Sequence, residues 1–233
     1  GRVLNAVNDL GIVDETAVLI SADHGDLCGS HGGMHDKNAF MVEELMHIPL
    51  MVRVPGMKSP GWRPNQVVSN LDIPATIVDL AGAEVPDYFD GRSLLPLMTA
   101  GSAAGSIVDW PDYVVAECYG VHFSYETRMV VHDGHKYVFH PGAFDELYDL
   151  EHDSAELYNV IDAPAKTDVL RECRRRLLRW MQRTKDPMHR AFFLFGDGNA
   201  YGGDGPRNYG AQAGNVYFSR APVLDGDTST GLS

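Results

Sequence analysis

The chain is short of cysteine, short of positive charge and without a long apolar run, and each shortage closes off a class of protein. Its three cysteines lie in Leu27-Cys28-Gly29, Glu117-Cys118-Tyr119 and Glu172-Cys173-Arg174, without the spacing of a cysteine metal site. They give no disulfide framework, and an odd count leaves at least one thiol unpaired within the chain. Lys and Arg number 19 against 32 Asp and Glu, a formal net charge of -13. That balance argues against nucleic acid or an anionic membrane surface as the partner. No stretch approaches the roughly 18 apolar residues of a membrane-spanning helix, so no membrane insertion is expected. What remains is a protein whose 233 residues can bury a sizeable core, as one domain or a domain with an appendage.

The stretch from Thr16 to Gly56 organises the rest. Ala17, Val18, Leu19 and Ile20 are apolar, partly β-branched and bounded by polar residues, the pattern of a strand covered on both faces in a parallel sheet. The end of that strand presents Ser21, Asp23, His24 and Asp26, and strand carboxyl ends are where open α/β sheets bind ligands. Asp23 and His24 are therefore well placed to hold a metal. Gly25, Gly29, Gly32 and Gly33 let the following loop fold back, since glycine accepts dihedrals other residues avoid. That loop carries His31, His35, Asp36 and Lys37, and the Lys37 ammonium can return to an anion held at the metal.

Around this stretch the chain reads as ordinary α/β architecture. Arg2 to Leu10 is a helix closed by Gly11. Asn38 caps a short helix running through Met46, on which Glu43 and Glu44 read as a charge pair facing water or bonding a neighbouring loop. A second strand covers Ile48 to Val54, and Asp72 is the N-cap of a helix that Gly82 ends. Small residues from Thr99 to Ser106 mark a boundary, giving units at 1–105, 106–195 and a Gly-rich tail at 196–233. In the second unit Tyr113 to Ala116, Arg128 to His132 and Lys136 to Phe139 are strand-like, with Asp133-Gly134 as a hairpin turn between the last two. Ala165 to Thr184 is a long helix with Val169, Leu170, Cys173, Leu177, Trp180 and Met181 on one face, and Arg171, Arg174, Arg175 and Arg179 largely off it.

The stretch resembles the sulfatase family of the alkaline phosphatase superfamily. That family carries a Ser/Thr-x-Asp-His/Asn-Gly strand end, a glycine-rich loop, a lysine, a Tyr/Val-Glu-Glu helix and a Val/Ile-Pro-Leu strand ending in Pro-Gly. Here these are Ser21 to Gly25, Gly29 to Gly33, Lys37, Val42 to Glu44, Ile48 to Leu50, and Pro55 with Gly56. A second match runs from Glu146 to Asp153 and on to Asn159, with Ser154 in place of the usual proline. The fold the resemblance implies is part of an alkaline-phosphatase-like mixed or parallel α/β sheet flanked by helices. A small antiparallel carboxyl-terminal subdomain with a long helix accompanies it.

By the same resemblance Asp23 and His24 supply half the ligands of one divalent cation, usually calcium, although an imidazole ligand suits a transition metal better than a hard cation. Lys37 binds the sulfate and His31 joins it as a catalytic candidate. His35, His122 and Arg128 become candidate substrate contacts, the last two because the antiparallel subdomain walls the substrate cleft in that family. Family members are roughly twice as long and carry an amino-terminal Cys/Ser-x-Pro-x-Arg motif whose first residue becomes formylglycine. No such motif occurs here. The expectation is thus the carboxyl-terminal half of a sulfuric ester hydrolase, inactive alone, whose partners are the missing amino-terminal half and a sulfated small molecule or saccharide. The rivals are a phosphodiesterase or phosphonate monoester hydrolase of the same superfamily, and a non-catalytic metal-binding subunit.

Overall fold

The computed structural model describes residues 1–37, 39–57, 61–100, 109–120 and 123–195. The chain divides into two compact units, Gly1–Val114 and from Val115 onward. The boundary expected at residue 105, the proposed cap Asn38, the candidate His122 and the Gly-rich tail all lie outside the described residues.

In the first unit, α1 (Arg2–Asp9) ends where Gly11 adopts φ +70°, the left-handed stop that glycine provides. A 3-10 turn at Val13–Glu15 leads into β1 (Val18–Ser21). Its partner β2 (Leu50–Arg53) runs antiparallel, with Val18 opposite Arg53 and Ser21 opposite Leu50. β1 was expected to be covered on both faces within a parallel sheet. Among the described residues it has one antiparallel neighbour, and Ile20 and Met51 remain exposed. The faces of a sheet are covered by layers packed above and below it, and the described residues leave Ile20 and Met51 uncovered, so the apolar pattern of β1 outruns its burial here.

Between the strands lie a distorted helical turn, α2 (Ser30–Gly33), and a short helix, α3 (Glu43–Met46), which begins well after the start expected of it. Leu27, Ala39, Met41 and Leu45 are buried beneath this segment. Then come α4 (Asp72–Leu80) and α5 (Leu95–Ala100). Asp72 was expected to cap its own helix. Its carboxylate instead accepts from the Ser69 N–H (2.8 Å) and the Arg92 N–H (2.9 Å), so it fastens two loop segments together. Thr76 repeats the arrangement one turn on, donating to Asp72 O and accepting from the Leu94 N–H. Leu94 and Leu97 form a small core with Leu50, Trp62, Val68 and Trp110.

The second unit is built on a four-stranded sheet in the order β3 (Tyr113–Cys118), β4 (Thr127–His132), β5 (His135–Phe139), β6 (Glu146–Asp149). β4 and β5 are antiparallel with His132 opposite His135, so Asp133-Gly134 is a two-residue turn. Both turn residues have positive φ, +47° and +66°, as the tight primed hairpin requires. β6 follows in antiparallel register, Tyr137 opposite Leu147. The long helix α6 (Thr167–Thr184) packs on β4 and β5, burying Leu170, Cys173, Leu177 and Met181, and the short α7 (His189–Phe195) packs on α6.

One arginine departs from the sequence reading of α6. Arg174 faces inward, its guanidinium 3.4 Å from Asp145 and 5.3 Å from the Tyr137 ring centre. The Tyr137 hydroxyl donates to the same Asp145 at 2.6 Å, and burial holds that carboxyl above the usual range despite these partners. A second buried pair, Lys136 with Glu156 at 2.9 Å, ties β5 to the loop after β6.

Candidate active site

Asp23 and His24 leave the end of β1 in sequence, and the backbone there fixes how they present themselves. The His24 N–H donates to Asp23 Oδ1 at 3.0 Å. That bond, the local backbone and the neighbouring His24 and Lys37 hold the Asp23 carboxyl below its ordinary range. Its side chain is 87% exposed, so it stands as a carboxylate open to a ligand. His24 Nδ1 lies 2.7 Å from Gly25 O. A carbonyl can only accept, so Nδ1 carries the proton and Nε2 is left with its lone pair. The Lys37 ammonium donates to that lone pair at 3.0 Å, and Asp23 Oδ2 lies 3.5 Å from the same nitrogen. Thus the three residues nominated from the sequence converge on one point.

This chemistry fits a divalent cation. One ionised carboxylate and one imidazole nitrogen, whose lone pair a cation would take over from the Lys37 ammonium, make two donors of different hardness. Among the described residues no group of three or more His, Cys, Asp or Glu is gathered in metal-binding geometry. A cation held by Asp23 and His24 would need further ligands from outside them.

Gly25 explains why the motif can be so tight. A Cβ on Gly25 would stand 1.7 Å from Glu44 O, and the Gly25 N–H donates to Leu45 O at 2.9 Å. Only glycine lets the backbone beside His24 lie flat on α3. The loop that follows closes on itself through Leu27 N–H to Asp36 O (3.2 Å) and Gly29 N–H to Met34 O (2.7 Å). Asp26, itself exposed, accepts the Cys28 N–H at 2.8 Å, which lowers its carboxyl, while its hydrogen bond to the Cys28 side chain and its charge raise the exposed Cys28 thiol.

His31 and His35 separate in this loop. His35 is exposed, close enough to Asp26 for its charge to act on that carboxyl. His31 Nε2 donates to Glu44 Oε2 at 3.1 Å. Burial pushes the Glu44 carboxyl up, but its own backbone N–H and His31 outweigh that and hold it below the usual range. Glu44 was read from sequence as a solvated or loop-bonding charge, and the second alternative is what the structure contains. Its partner was not foreseen, because nothing in the spacing of a loop histidine and a helical glutamate joins them.

Arg128, expected to face a substrate cleft, is fully buried. It donates from Nε to Asp186 Oδ2 (2.6 Å) and from Nη2 to Asp186 Oδ1 (3.1 Å), with further bonds to Thr127 O and the Tyr119 hydroxyl. The Tyr119 ring lies 4.7 Å from the guanidinium. The physical reason is the need to pair a buried charge: Asp186, just past the end of α6, supplies a two-pronged partner 58 residues away in sequence. Nothing local in the sequence signalled it.

A family model described as N-sulphoglucosamine sulphohydrolase, C-terminal, matches residues 29–183. Arylsulfatase K of Xenopus laevis is 33% identical over 166 residues, which is 69% of this chain and 30% of that protein. Choline-sulfatase of Rhizobium meliloti (strain 1021) is 33% identical over 168 residues, 70% of this chain and 30% of that protein. The chain therefore spans about 30% of the length of these relatives. Among solved structures, BT1596, described as a 2-O GAG sulfatase, superposes with a TM-score of 0.73 at 30% identity over 81% of this chain and 41% of that chain. The phosphonate monoester hydrolase SpPMH from Silicibacter pomeroyi superposes with a TM-score of 0.67 at 26% identity, over 80% of this chain and 38% of that chain.

Proposed function

The chain belongs to the sulfatase family, matching the carboxyl-terminal region of N-sulphoglucosamine sulphohydrolase, and on that premise we propose that it takes part in hydrolysis of the sulfate ester of a carbohydrate.

 The proposed substrate class is a sulfated saccharide, in line with the 2-O GAG sulfatase among the structural neighbours. The observation that carries the reading is the convergence of Asp23, His24 and Lys37, with His24 Nε2 left as a lone-pair donor and the Lys37 ammonium 3.0 Å away.

Asp23 and His24 would hold a divalent cation, proposed as calcium, together with ligands from outside the described residues; when bound, such a cation polarises a sulfate oxygen. Lys37 supplies a fixed positive charge for the anionic ester, and charge placed before the reaction offsets charge that develops during it. The Gly25–Leu45 bond and the closed loop hold the backbone of these groups in place, so the rearrangement on binding is the release of Lys37 from His24 Nε2 to the ester. The proposal places the nucleophile, a formylglycine, in amino-terminal sequence outside this chain, and makes that sequence the chain's partner. His35 is kept as a substrate contact on the strength of its exposure on the same loop. Arg128 is not, because Asp186 occupies its guanidinium.

The test is turnover of p-nitrophenyl sulfate and of a sulfated disaccharide by the protein joined to its amino-terminal sequence, with Asp23→Asn, His24→Ala and Lys37→Met alongside. Loss of at least about a hundredfold in kcat/KM in each supports the assignment. Wild-type rates in the Lys37→Met variant would remove it. The likeness to a phosphonate monoester hydrolase favours one second reading, and p-nitrophenyl phenylphosphonate as a parallel substrate separates the two. Preference for the phosphonate by kcat/KM would replace the sulfatase reading.

A further inference from the structure

We propose that His31 and Glu44 are positioning residues for Lys37, forming a strut that ties the tip of the glycine-rich loop to the backbone beside His24. The proposal rests on the reading of Lys37 as the cation that meets the ester.

The loop needs such a tie. Cys28, Gly29, His31, Gly32, Gly33 and Asp36 all have positive φ, between 47° and 95°. Glycine reaches that region freely, but a residue with a side chain is strained there and persists only where surrounding contacts enforce it. The main-chain bonds Leu27 to Asp36 and Gly29 to Met34 close the loop on itself without fixing its tip to α3. The His31–Glu44 bond does that, between side chains 20% and 33% exposed, with the neighbouring Ser30 side chain a second partner of Glu44.

The far end of the strut is equally fixed. Glu44 O lies where a Gly25 side chain would have to be, and the next carbonyl, Leu45 O, takes the Gly25 N–H. Leu45 itself is buried with Leu27 and Met41. A continuous path therefore runs from the loop tip through His31, Glu44 and Gly25 to His24. Lys37 follows Asp36, the residue clasped to Leu27, and completes the circuit by donating to His24 Nε2. In this arrangement the His31 Nε2–H is committed to Glu44, which makes the imidazole a tie-bar and not a proton carrier.

The experiment reads the Lys37–His24 bond by ring-nitrogen NMR of His24 in this chain. Lys37→Met sets the position of the Nε2 signal with the bond absent. His31→Ala and Glu44→Ala are expected to move the signal at least half of that way, and the double variant no further, as for two members of one unit. His31→Gln is expected to keep the wild-type position, because its amide N–H can reach Glu44 as the imidazole N–H does. A wild-type signal in His31→Ala or Glu44→Ala overturns the strut, as does a His31→Gln signal displaced like that of His31→Ala.

Turnover by the protein joined to its amino-terminal sequence supplies the second readout. The expected loss in kcat/KM is about tenfold for His31→Ala and for Glu44→Ala, with His31→Gln recovering most of it. If His31→Gln is as slow as His31→Ala, the imidazole itself transfers a proton and the strut is overturned. If the unaltered protein hydrolyses no sulfate ester, the proposed function fails, while the ring-nitrogen shifts still decide the strut.

Discussion

Replacing Asp186 by alanine leaves the Arg128 guanidinium buried without its two-pronged partner. The wild-type side chains are enclosed, 0% and 2% exposed, so water cannot take over the lost bonds. Removing one member of a buried ion pair costs about 3–5 kcal/mol. Glu117, 3.4 Å from Arg128 Nε and 36% exposed, offsets part of that, which puts the expected loss near the lower end, about 3 kcal/mol. For a unit of this size the melting temperature should fall by on the order of 10–25 °C. Circular dichroism during thermal and urea unfolding of the chain reads both quantities. Arg128→Met combined with Asp186→Leu should recover most of the loss, since neither charge then remains to be desolvated. A cost below about 1 kcal/mol for Asp186→Ala would refute the reasoning, and would return Arg128 to the list of substrate contacts.

Gly25→Ala should destabilise the first unit by about 2–4 kcal/mol, because the new methyl meets a backbone carbonyl and the Gly25–Leu45 bond must lengthen; the urea midpoint measures it. Cys28 is exposed and Cys173 is buried with its thiol pushed up to about 12, so a thiol reagent should label Cys28 in the native chain and Cys173 only on unfolding. Asp26→Asn should speed the labelling of Cys28, since the Asp26 charge disfavours its thiolate. Asp149, bonded by Lys166 and His152, has its carboxyl held well below the usual range. Its contribution to stability is therefore present above the unfolded value of about 3.9 and is lost as pH falls through the lower folded value. Asp149→Asn should flatten the acid limb of a plot of unfolding midpoint against pH; an unchanged limb would contradict the pairing.

Local signals were legible in the sequence and distant pairings were not. Asp133-Gly134 announced its hairpin because two residues with positive φ are a local demand that few sequences meet. Gly11 announced the end of α1, and the apolar spacing of α6 announced its buried face. The convergence of Asp23, His24 and Lys37 was also foreseen, since strand end, glycines and lysine lie within one loop. By contrast, Arg128 with Asp186, Arg174 with Asp145 and His31 with Glu44 are chosen by tertiary geometry. One arginine among several on α6 carries no mark that it will turn inward. The exposure of β1 was missed for a different reason: an apolar run reports what a strand is suited to meet, not which neighbour this chain supplies.

The two antiparallel pairs also differ in how much chain each must gather. β4 and β5 meet across two residues, whereas β1 and β2 meet only after residues 22–49 have been brought round. Loop-closure entropy separates the two events by on the order of 2 kcal/mol. The second unit should therefore acquire its sheet early, on the microsecond scale of hairpins, while the segment bearing Asp23, His24 and Lys37 organises last. Substitutions at the Asp133-Gly134 turn should slow refolding, and those at Gly25 should chiefly hasten unfolding.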